Sequence, residues 1–226
     1  MIYKHSKSTK LRAGNQFKTI RSIVIFTCAS LIFFSTVELA MAHHPMGGTT
    51  PANFWEGLLS GMGHPIIGID HLAFVVAVGL IAAIIPNCIL ILASFLATAM
   101  LGTGIHLLSI DLPLTEIAIA ISVVAFGAML AFKQKLNTLL LIIFAGLAGI
   151  FHGYAYGEAI IGAEMTSLLA YLIGFTAIQL FIALLAMKFA QLISNYWQNQ
   201  FFYLIRFFGL AISAIGVVFL TSAILS

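Results

Sequence analysis

Between residues 66 and 225 the chain lays down six apolar runs, at 66–85, 88–108, 114–132, 139–156, 167–187 and 207–225. Each is close to the ~20 residues that a helix needs to cross the hydrocarbon core of a bilayer. Lipid offers the backbone no hydrogen-bonding partner, so each run must satisfy its own N–H and C=O groups as a helix; lipid-facing strands would alternate in polarity, and these runs do not. With 62% hydrophobic and 8% charged residues, the chain is too poor in charge to clothe a soluble domain. The expected fold is an all-α integral membrane protein, a six-transmembrane-helix bundle with short links at 86–87, 109–113, 133–137, 157–166 and 188–206. Gly102, Gly104, Gly127, Gly146, Gly149 and Gly174 lie within the runs and suit close helix packing. Ahead of the first crossing, residues 53–59, with Phe54, Trp55 and Glu56, read as a short interfacial helix.

The sequence pI near 9 would suit a nucleic-acid binder, but six of the ten basic residues lie in the first 21 positions. That leader reads as a secretory signal peptide over residues 1–42: a basic stretch, the apolar run 22–37, then Ala40-Met41-Ala42 as the cleavage site. The alternative is an uncleaved first transmembrane helix. Cleavage would make His43 the first residue of a six-helix membrane domain over 43–226, with four basic and six acidic side chains, a mild net charge of −2. Cys28 would leave with the signal and Cys88 would have no partner, so any metal chemistry must use His and carboxylates.

The remaining basic residues set the orientation. Lys133 and Lys135 lie in the third link, and Lys188 and Arg206 bound the fifth, whereas the second and fourth links carry only acidic charge, near Asp111, Glu116, Glu158 and Glu164. The positive-inside rule places the basic side in the cytoplasm, and an exported N-terminus predicts the same arrangement, with both mature termini outside.

Ionisable groups within apolar runs each cost several kcal/mol at the bilayer centre, about 2.5–3.5 on insertion scales, unless paired or hydrated. Here they cluster. Residues 64–71 read HPIIGIDH, giving His64, Asp70 and His71, with His64 expected at the start of the first crossing because Pro65 suits a helix N-terminus. Residues 151–158 read FHGYAYGE, giving His152 and Glu158 at the exit of the fourth. One crossing runs inward and the other outward, so both segments fall in the same half of the membrane. Imidazole and carboxylate donors without thiolate suit Ni²⁺, Co²⁺ or Zn²⁺ better than Mg²⁺ or Ca²⁺. A proton relay is a second reading, and polar side chains that only bond neighbouring helices a third. Gly68, Gly153 and Gly157 would let the backbone bend beside the cluster, while Tyr154 and Tyr156 stand near enough to hydrogen-bond its members. His106, deep in the second run, is a candidate for the transport path, and His43-His44 would offer a chelating mature N-terminus.

The first segment resembles the HxxxxxDH signature, and the second the FHGxAxGxE signature, of the HupE/UreJ family of bacterial nickel and cobalt permeases. The resemblance covers essentially the whole mature chain. It implies uptake of Ni²⁺, with Co²⁺ as an alternative substrate, across the cytoplasmic membrane to supply metalloenzymes such as hydrogenase or urease, with no permanently bound cofactor. Its metal-handling residues map onto His64, Asp70, His71 and His152. The acidic position falls on Ala159, one residue after Glu158. No GxxxxGK[ST] loop occurs, so channel-like or ion-coupled transport is implied. An intramembrane zinc hydrolase is the alternative from another class, opposed by the lack of HExxH; a proton-conducting or structural subunit is another.

Overall fold

The computed structural model describes residues 49–85, 89–132 and 137–225. Residues 1–42, read above as a signal peptide, and His43, His44, Cys88, Lys133 and Lys135 lie outside the described residues. Those described form seven helices and no strand: α1 (Phe54–Ile67), α2 (Ile69–Ile84), α3 (Ile89–Leu107), α4 (Thr115–Ala131), α5 (Thr138–Glu158), α6 (Met165–Tyr196) and α7 (Gln198–Leu225). Four of them, α3, α5, α6 and α7, are long and apolar enough to cross a membrane; α1 and α2 meet the same test as a pair bent by 79°. At 17 residues α4 is apolar but shorter.

Two expectations change. The short interfacial helix becomes the 14-residue α1, which runs on to Ile67 with Pro65 inside its last turn. His64 therefore ends α1 and does not begin the crossing. Its start is fixed at Asn53, whose side chain accepts from the Glu56 N–H at 3.0 Å while Glu56 accepts from the Ala52 N–H at 2.8 Å, a reciprocal cap. Gly57 and Gly61 then seat α1 directly on the backbone of Ser167 and Tyr171 in α6. The three glycines in WEGLLSGMG lower helix propensity, and tertiary contact with α6 offsets that where the helix runs on past residue 59.

The second change is the fifth link. Helix α6 continues to Tyr196 and α7 begins at Gln198, so Lys188 and Arg206 lie inside helices on either side of a corner at Trp197. Hydropathy marks where lipid ends, whereas no Gly or Pro between residues 188 and 206 stops the helix.

The bundle is built from close pairs. Helices α3 and α5 run parallel, with Gly149 against Thr98 and Phe95 and Gly153 against the Ala99 carbonyl, where a Cβ would collide. Thr103 Oγ1 donates to the Gly153 carbonyl at 2.7 Å across this seam. α4 and α7 pack antiparallel through Gly127, Gly209 and Gly216. Between the pairs lies an aromatic core in which Phe74 meets Phe126 at 4.8 Å and Phe95 at 5.1 Å between ring centres. Alternating helix directions bring Glu56, Asp111, Glu116, Glu158 and Glu164 to one end of the bundle, with Asp70 buried at the α1–α2 break, and leave Lys188 and Arg206 toward the other.

Candidate metal site

Gly68 breaks the chain between α1 and α2, and the first motif straddles that break. Its N–H donates to the His64 carbonyl at 3.0 Å, closing α1, and its carbonyl accepts from Leu72 N–H at 2.9 Å, opening α2. A Cβ at Gly68 would lie 2.6 Å from His71 Cδ2 and 3.3 Å from Asp70 Oδ1, so the site's side chains occupy the space a larger residue would need. Asp70 in the first turn of α2 is 6% exposed, and its Oδ1 accepts from the His71 N–H at 2.8 Å. A carboxylate is held there by the N-terminal end of the helix.

His71 is fully buried, and its Nδ1 lies 2.7 Å from Nδ1 of His152 in α5. The other nitrogen of His152, Nε2, lies 3.0 Å from Ser122 Oγ in α4, and Ser122 in turn donates to the Ile119 carbonyl at 2.6 Å. Phe74 stacks on the His152 ring at 4.4 Å, so the aromatic core forms the floor of the site. His64, buried at the end of α1, stands 5.8 Å from His71 between ring centres. Its Nδ1 lies 3.1 Å from the Tyr171 hydroxyl, which donates to the Tyr156 carbonyl at 2.8 Å. The Tyr156 ring packs beside both, 5.1 Å from His64 and 4.6 Å from His71, with its own hydroxyl donating to Gln179 Oε1 at 3.2 Å.

His64, Asp70, His71 and His152 thus come together from three helices. Even so, among the described residues no three His, Cys, Asp or Glu side chains are grouped as a ready metal cage. Glu158 stands apart from them. It is exposed at the last position of α5, and six residues after His152 it lies about 240° round the helix. Gly157 is helical and does not turn the chain back, and a Cβ there would meet the His106 side chain. Ala159, seven residues after His152 and so back near its face, is 8% exposed. His106 lies elsewhere, stacked on Tyr154 at 4.3 Å and lining a cleft of about 310 Å³ with Ser109, Asp111 and Tyr154.

Ser122, Tyr171 and Gln179 were not legible as site residues. Hydroxyl and amide side chains are ordinary in membrane helices, and only their isolation in otherwise apolar runs marks these three. Buried imidazole, carboxylate and hydroxyl groups without a thiolate form a donor set suited to a borderline divalent cation.

A family model described as HupE / UreJ protein matches residues 31–219 of the chain. Protein HupE of Rhizobium leguminosarum bv. viciae is 32% identical over 139 residues, 61% of this chain and 72% of that one. No solved structure matches.

Proposed function

The chain belongs to the HupE / UreJ family, and on that premise we propose that it imports a divalent transition metal, Ni²⁺ with Co²⁺ as second substrate, across a bacterial cytoplasmic membrane. In this reading the protein crosses six times, with the broken α1–α2 pair as one span and α4 as another, at about 26 Å for 17 residues. The carboxylate-bearing end faces outward, and the signal peptide is removed after Ala42. His64, Asp70, His71 and His152 handle the ion. Glu158 concentrates cations at the mouth through its charge, and a mature terminus of His43-His44 adds a capture point.

One observation carries this reading: His71 and His152, 81 residues apart in the chain, meet nitrogen to nitrogen at 2.7 Å, beside the break between two helices that together are long and apolar enough for one span. Broken helices with buried polar groups are where membrane transporters bind their ions. The supporting test is uptake of Ni²⁺ by liposomes holding the purified protein, with empty liposomes and a His71→Ala variant as references. A chain serving as a hydrolase or a structural subunit would leave the metal outside.

A further inference from the structure

We propose that Tyr171 and Ser122 are positioning residues that fix the imidazole tautomers of the site, so that His64 and His71 both present Nε2 as the metal-binding atom and His152 supports His71 without binding the ion itself. This rests on the transport reading above and assigns its donor atoms.

The assignment follows from counting protons. A tyrosine hydroxyl has one hydrogen, and a carbonyl oxygen can only accept. Tyr171 gives its hydrogen to the Tyr156 carbonyl at 2.8 Å, so toward His64 Nδ1, 3.1 Å away, its oxygen acts as acceptor. His64 must then carry its proton on Nδ1, and the lone pair of the neutral ring is on Nε2. Ser122 repeats the device. Its hydrogen goes to the Ile119 carbonyl at 2.6 Å, the shorter of its two contacts, so its oxygen accepts from His152 Nε2–H at 3.0 Å. The lone pair of His152 is thereby on Nδ1, and the 2.7 Å contact with His71 Nδ1 requires His71 to be the donor. Nε2 of His71 is left with the lone pair.

Two separate hydroxyl relays, each anchored on a backbone carbonyl, therefore give the same result at two rings whose centres are 5.8 Å apart. At the ~2 Å metal–nitrogen distance of imidazole ligation, two ring centres sharing one ion stand up to roughly 6 Å apart. Outer partners of this kind fix the tautomer and orientation of a ligating histidine.

The test is nitrogen-15 NMR of histidine-labelled, metal-free purified protein, with signals assigned through single His→Gln variants, alongside equilibrium dialysis against Ni²⁺. The expected pattern is Nδ1–H at His64 and His71 and Nε2–H at His152. Tyr171→Phe should shift His64 toward Nε2–H, leave the other two rings unchanged and weaken Ni²⁺ binding by about 10–100-fold. Ser122→Ala should disturb His152 and His71 together, and Ser122→Thr, which keeps the hydroxyl, should restore them. Nε2–H at His64 or His71 in the unsubstituted protein, or a Tyr171→Phe variant with the His64 tautomer unaltered, would overturn the proposal. The expected tautomers and binding losses in a protein that moves no Ni²⁺ into liposomes would uphold this assignment and sink the transport reading alone.

Discussion

His71 and His152 face each other through their Nδ1 atoms at 2.7 Å, both fully buried and each on a different helix. Residues in one hydrogen-bonded unit lose their function together. His71→Ala and His152→Ala should each reduce Ni²⁺ uptake by at least tenfold, and the double variant should be little worse than the poorer single one. Rates from the three variants, compared at equal membrane insertion, check this; multiplying losses would show that the two imidazoles act independently.

At Gly68 the absent Cβ leaves room for His71 Cδ2, whereas nothing lies within 4 Å of a Cβ at Gly104. Gly68→Ala should therefore impair uptake in a protein that still inserts, and Gly104→Ala should be tolerated. Gly153→Ala, which pushes on the Ala99 backbone, should destabilise the α3–α5 pair by about 1–3 kcal/mol, seen as a lower unfolding temperature in detergent.

Glu158 is exposed and lies away from the His152 face. In the proposed transport its charge would act on the arriving ion through solvent, an effect that salt screens. Glu158→Gln should raise the KM for Ni²⁺ severalfold at low ionic strength, leave the maximal rate nearly unchanged, and converge with the unsubstituted protein at high salt. A collapse of the maximal rate would make Glu158 a ligand.

Sidedness can be read with thiol labelling in a background without Cys28 and Cys88. Ser109→Cys, in the α3–α4 link, should react with an impermeant reagent on intact cells, and Gln198→Cys, at the α6–α7 corner, only after permeabilisation. Both positions are exposed. Intact mass of the extracted protein should begin at His43; a retained Met1 would add a seventh crossing.

The bundle and the two motifs were legible because they rest on strong local signals: unbroken apolar length for the helices, and ionisable groups where lipid penalises them. What hid from the sequence was tertiary. Pro65 reads as a helix start, yet α6 accepts the glycine face of α1 and carries the helix through it. Trp197 carries no turn signature, since a corner between two helices needs only one residue out of helical geometry, at φ −130° and ψ 52°. Tyr171 lies 107 residues from His64, and no spacing rule relates a hydroxyl to an imidazole on another helix.

The central claim is that the buried histidines at the helix break carry the ion across. Liposomes holding the purified protein should accumulate radioactive Ni²⁺ from a limiting external concentration, and His64→Ala or His71→Ala protein, inserted to the same level, should fall at least tenfold toward the empty-liposome rate. Equal uptake by the unsubstituted protein and both variants would contradict it.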